Sequence, residues 1–193
     1  MQSQVRNSNG LEQFFYSLQG RDNLSILDLS IANQDNVTFI TNLGHRIYTE
    51  DVIDSIDEVF GADKEMQSNP VRIDMFLNQA LNFPENHFDG ALVWDVLQFL
   101  SPTAARAAVD RLYHIMRPRS YLLCFFNANE KIDVVPTVNY RIRESKTLLL
   151  SSRASRQTNQ FFNNRAIEKL FQRFESIKFF LTRDSLREVI VKK

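Results

Sequence analysis

Leu24-Ser25-Ile26-Leu27-Asp28-Leu29, answered downstream by Arg46-Ile47-Tyr48-Thr49 and closed by Glu50-Asp51, is the stretch whose reading decides the fold. Both short apolar runs read as strands. Between them Val37, Ile40 and Leu43 recur at helical spacing, and Gly44 supplies a helix stop. Strand, helix and strand in this order predict a βαβ unit. In nucleotide-binding units of this kind the turn after the first strand brings backbone against the ligand, and a carboxylate after the second accepts hydrogen bonds from ribose hydroxyls. Glu50 and Asp51 stand where that carboxylate belongs. The turn, Ser30-Ile31-Ala32-Asn33-Gln34-Asp35, contains no glycine.

Outward from this unit the chain keeps alternating. Upstream, Leu11, Phe14, Phe15 and Leu18 form one face of a short helix that packs on the sheet or covers a cleft, packing being the commoner role; Met1 to Gly10 reads as a polar, mobile tail. Downstream, Val52, Ile53 and Ile56 mark another helix ending at Gly61. Residues 66–83 admit two assignments, and the spacing of Ile73, Phe76, Leu77, Ala80 and Leu81 favours helix. Phe88 to Leu97 then reads as a buried strand. Asp89 at its start is a structural residue holding the turn. Asp95 at its carboxyl end lies where open α/β sheets bind ligands, although capping the following turn is the more frequent use of such a residue. Trp94 beside it fills core more often than it stacks on a ligand.

Ser101-Pro102 starts a helix whose buried side is Ala105, Val109, Leu112 and Met116, and Tyr121 to Phe126 is a central strand. Val138 to Arg143 and Thr147 to Ser151 form a hairpin around Glu144-Ser145-Lys146. A last helix from Asn163-Asn164 carries Ile167, Leu170, Phe171 and Phe174, and strands Glu175 to Leu181 and Leu186 to Lys192 close the chain. One domain over residues 11–193 is expected.

Composition narrows the function. The 193 residues are 44% hydrophobic with zero net charge, which removes the basic footprint of nucleic-acid binding. No apolar run suits a membrane span or leader, and Cys124, the only cysteine, forms no internal disulfide, so a cytoplasmic protein is expected. Acids crowd Glu50 to Glu65, and basic residues (Arg141, Arg143, Lys146, Arg153, Arg156, Arg165) crowd the later stretch; solvated faces are the bland explanation, a basic surface near a substrate entrance the sharper one. The three histidines lack metal-ligand spacing, and there is no phosphate loop, nucleophile elbow or Asn-Pro-Pro-Tyr motif. Only five glycines are present, against sixteen phenylalanines. Glycine is what allows close backbone approach to a nucleotide.

A strand ending in Leu27-Asp28-Leu29, a Phe88-Asp89 step into an apolar strand, Arg117-Pro118-Arg119-Ser120 before the next, and an antiparallel finish resemble the class I S-adenosylmethionine-dependent methyltransferases over roughly residues 22–193. The family's Gly-x-Gly-x-Gly turn is replaced here by Ser30, Ala32 and Gln34, and its Lys-Pro-Gly-Gly turn has lost both glycines. The resemblance implies a Rossmann-like α/β fold: a mostly parallel seven-stranded sheet, helices on both faces, an antiparallel edge and a small hairpin insertion. It also implies S-adenosylmethionine as cofactor. Asp28, Ser30, Ala32 and Gln34 would surround its methionine part, and Glu50 or Asp51 its ribose. Leu77 or Asn78 would lie near the adenine, and Trp94 near the methyl group, with Asp95 the candidate catalytic residue. Two functions follow: methyl transfer to a small molecule or protein, or a silent methyltransferase-like protein acting as a structural or regulatory partner.

Overall fold

The computed structural model describes residues 3–182 and 186–193. Strand β1 (Ser3–Asn7) leads into helix α1 (Asn9–Leu18), whose N-cap Ser8 accepts from the Leu11 amide. The βαβ unit follows as β2 (Ser25–Asp28), α2 (Gln34–Asn42) and β3 (Arg46–Thr49). Helices α3 (Val52–Phe60) and α4 (Pro70–Ala80) begin at the side-chain caps Asp51 and Asn69. Next come β4 (Phe88–Trp94), α5 (Pro102–Ile115), opened by the Ser101 cap and Pro102, and β5 (Met116–Asn127). The chain finishes with β6 (Val134–Glu144), β7 (Thr147–Gln157), α6 (Asn164–Leu170), β8 (Ser176–Leu181) and β9 (Leu186–Lys192).

These strands make two sheets. The larger runs β3-β2-β4-β5-β9-β8, parallel from β3 to β5 and antiparallel beyond. The smaller runs β1-β7-β6, antiparallel throughout. The expected α/β class and antiparallel finish are present; the expected seven strands are not. A six-stranded sheet results because residues 66–83, where the resemblance put a third strand, fold as a 3₁₀ turn (Lys64–Ser68) followed by α4. The Asn69 cap, Pro70 at the helix start and the Ile73, Phe76 and Ala80 face prevail there. Of the expected tail, Met1 and Gln2 lie outside the described residues, and the rest is not a tail. Ser3 to Asn7 pair with Thr147 to Ser151, turning the small hairpin insertion into the core of a separate sheet.

The larger sheet is apolar on both faces, as parallel strands between two layers must be. Along β5, Leu122, Cys124 and Phe126 face α3, α4, α5 and α6, whereas Leu123 and Phe125 face α1, α2 and the smaller sheet. Helix α1 packs on the sheet, with Phe14 so close to β4 that a Cβ on Gly90 would lie 2.8 Å from its ring. Among the described residues no helix is long and apolar enough to cross a membrane. The smaller sheet therefore sits on one face only, beside the carboxyl ends of β2, β3 and β4.

Candidate functional site

Asp28 ends β2 fully buried and accepts three hydrogen bonds, from Trp94 Nε1 at 2.6 Å, Ser30 Oγ at 2.7 Å and Asn36 Nδ2 at 2.7 Å. Burial pushes its carboxyl up to about 6 even though all three donors favour the charged form. Asn36 is also the joint between the βαβ unit and the hairpin: its Nδ2 donates to the Tyr140 carbonyl at 3.0 Å, and its Oδ1 accepts from the Ile142 amide at 2.8 Å.

Trp94 ends β4 in the left-handed region, φ 53°, a conformation that a bulky residue adopts only when its surroundings hold it there. Two contacts do so. Its indole nitrogen is held by Asp28, and its ring lies on Tyr140, centroids 4.7 Å apart and planes 2° from parallel. Trp94 thus fills core, and the face that would stack on a ligand is covered by a ring of the chain itself. Asp95 is not the turn cap expected of it, since its side chain makes no capping bond. Instead its buried carboxyl takes hydrogen bonds from the Tyr140 hydroxyl and, at 3.3 Å, from Gln98 Nε2; burial pushes it up to about 7.

At the end of β3 the two acids part company. Asp51 caps α3 through the Asp54 amide and pairs with Arg153 at 2.8 Å. Glu50 is half-buried, and burial raises its carboxyl above the usual range. Further ion pairs join the hairpin to the βαβ side, Arg156 to Asp57 at 2.7 Å and Arg143 to Asp35 at 3.4 Å. The acidic and basic stretches that stood apart in the sequence meet here. Between them, Ser30, Asp51, Trp94, Tyr140 and Arg153 enclose a space of about 10 Å³ open to a water-sized sphere, room for about one water molecule. On the other side of Asp95 and Tyr140 lies a cavity of about 430 Å³.

No family model matches the chain, and no curated protein does. Solved structures do. A crystal structure of Burkholderia thailandensis 1,6-didemethyltoxoflavin-N1-methyltransferase, with 1,6-didemethyltoxoflavin and S-adenosylhomocysteine bound, superposes with a TM-score of 0.51 at 14% identity, covering 96% of this chain and 77% of that one. S-adenosylmethionine-dependent methyltransferases from Archaeoglobus fulgidus (TM-score 0.53, 10% identity, 95% and 91% covered) and Methanosarcina mazei (0.51, 12%, 90% and 93%) are similar to the same extent. The fold is that of the S-adenosylmethionine-dependent methyltransferases.

Within this methyltransferase fold the residues singled out in the sequence fall into two groups. Asp28, Ser30, Asp51, Trp94 and Asp95 converge at the carboxyl ends of β2, β3 and β4. Ala32 is exposed, and Gln34 opens α2 with Nε2 bonded to Thr38 Oγ1 at 2.9 Å, so neither joins them. No residue of the Ser30–Gln34 turn has positive φ; without glycine the turn takes a path open to any side chain. Leu77 packs from α4 against the core and Asn78 is exposed, and neither lines the space around Asp28. Asn36 and Tyr140 escaped notice in the sequence as site residues, and Arg153 stood out there only as one of the basic stretch read as a surface near a substrate entrance. Their partners lie far off in the chain: the Asn36–Tyr140 and Arg153–Asp51 bonds span 104 and 102 positions, and Tyr140 meets Trp94 and Asp95 from a separate hairpin.

Proposed function

We propose that this protein binds S-adenosylmethionine at the carboxyl ends of β2 and β3, and that the β6–β7 hairpin covers the place in the state described here and must lift to admit it. The observation carrying this reading is that the hairpin engages the very groups a cofactor would use. Arg153 sits on the Asp51 carboxylate, and Tyr140 lies on the face of Trp94. The donor set fits the group: carboxylates at the end of β3 suit ribose hydroxyls, and an indole face suits a flat ring. The space does not fit it while the hairpin is seated, since about 10 Å³ remains where bound ligands of this size occupy roughly 300 Å³ or more.

When bound, the cofactor supplies an activated methyl group. The chain's own task is then positioning, and Asp95 and Tyr140 could orient a small molecule or a protein side chain at that methyl. Cys124, buried in β5, is consistent with the cytoplasmic placement we propose. Calorimetric titration with S-adenosylmethionine and S-adenosylhomocysteine tests the reading. Native protein should bind weakly, and an Asn36→Ala, Arg153→Ala variant should bind more tightly because closure no longer competes. In that loosened background, where the Arg153 pair is already gone, replacing both Glu50 and Asp51 by alanine should weaken binding by about 2–3 kcal/mol, the scale of hydrogen bonds to charged acceptors.

A silent, partner-binding protein is the second reading, favoured by the glycine-free turn and by Ser30 being committed to Asp28. It is supported if neither native nor hairpin-loosened protein binds either ligand, whereas glycine restored at positions 30, 32 and 34 creates binding.

A further inference from the structure

The cavity of about 430 Å³ beyond Asp95 is of ligand size; it shares Asp95 and Tyr140 with the acceptor positioning proposed above and extends away from the cofactor space. Its lining is mixed: Val134 and Val138 of β6 and Leu150 of β7 give it apolar surface, and Asp95, Gln98 and Tyr140, with Gln4, Arg6 and Asn127, give it polar surface. Val134 stands at the rim, 52% exposed.

Charge decides what such a cavity accepts. Among the described residues that line it, Arg6 is the one cation, and it is held at 3.0 Å by Glu188, which also accepts from the Gly10 amide at 2.6 Å. That pair cancels itself. Asp95 receives only neutral donors: its own backbone amide, the Tyr140 hydroxyl and Gln98 Nε2. A buried carboxylate held this way lacks a counter-charge. An incoming cation would supply it, whereas an incoming anion would meet Asp95 at close range. We propose that this cavity is a binding site for a small organic amine with an apolar body, its ammonium on Asp95 and its body against Val134, Val138 and Leu150. Burial holds the Asp95 carboxyl up at about 7, and an ammonium would draw it into the ionised form.

The proposal shares Asp95 and Tyr140 with the cofactor reading but does not need the cofactor, because the cavity is open while the hairpin is seated. The test uses the full chain without S-adenosylmethionine, so failure of the cofactor to bind leaves its result intact. Ligand-observed NMR titrations compare 2-phenylethylamine with 3-phenylpropanoate, which has a similar body and the opposite charge. The amine should bind saturably and the carboxylate should not. Asp95→Asn, close in shape, should weaken the amine by about tenfold or more, on the scale of a lost charged contact. Val138→Phe, which fills the cavity from β6, should abolish binding, with circular dichroism confirming that both variants fold. Three results overturn the proposal: no saturable binding of the amine, equal binding of the carboxylate, or an unchanged affinity in folded Asp95→Asn.

Discussion

One hairpin treats the two sides of the cleft in opposite ways. Toward β2 and β3 it fills the space, so that Asp51 has Arg153, Trp94 has Tyr140, and Asn36, one of the donors to Asp28, is held by β6. Toward β4 and β5 the same strands stand off as a wall, and Asp95 is left with neutral partners beside about 430 Å³ of open space. The contrast teaches where to look for chemistry in a fold of this kind. Where the chain itself occupies the groups a ligand would use, a ligand must compete with it. Where a hydrogen-bonded buried carboxylate borders open space, a ligand can add a counter-charge.

The contrast can be broken from either side. The largest expected effect is from Trp94→Ala on the filled side. It removes a fully buried ring, its stack on Tyr140 and one donor to Asp28, and should lower stability by about 3–5 kcal/mol in urea unfolding. A loss below about 1 kcal/mol would show that the side chain is not held as described.

On the open side, Asp95→Asn should change how stability depends on pH. The Asp95 carboxyl is raised from 3.8 to about 7, so between these values the folded chain holds more protons than the unfolded one, and stability falls as pH rises through that window. Asp28, raised to about 6, contributes with the same sign. Native protein should therefore gain on Asp95→Asn by an amount on the order of a few kcal/mol as pH is lowered from about 8 to about 4, read from chemical denaturation at each pH. Parallel pH profiles would count against the buried position of this carboxyl.

Asn36→Ala sharpens the comparison at the joint. It should lower stability by about 2 kcal/mol by leaving buried groups without partners, and should speed hydrogen exchange at the Ile142 amide, which loses its acceptor. The smallest effect belongs to the ion pairs. Arg156→Ala should alter stability by less than about 1 kcal/mol, because its partner Asp57 is largely exposed and screened. A larger loss would make the pairs, rather than Asn36 and Tyr140, the main fastening of the hairpin.

Much of the fold was legible in residues near one another in the chain. The βαβ unit, the start of α5 at Ser101-Pro102 and the turn at Glu144-Ser145-Lys146 follow from periodicity, capping and turn preference, all of which act within a few residues. So does α4, whose face of Ile73, Phe76 and Ala80 prevails over the strand that the family resemblance suggested. Asp89 was readable too, as a structural acid at a strand start; its partners Arg21, Ser25 and Arg117 were not. Only the tertiary structure decided that Ser3 to Asn7 join β7, that Arg6 meets Glu188 across 182 positions, and that Tyr140 lies between Trp94 and Asp95. Local preference states which face of an element is apolar, but not which distant element will cover it. Whether a carboxylate ends up paired or merely hydrogen-bonded depends on that covering: the β6–β7 hairpin gives Asp51 a cation in Arg153 and Asp95 only a hydroxyl in Tyr140, while Asp28 takes its donors from β4, α2 and its own turn.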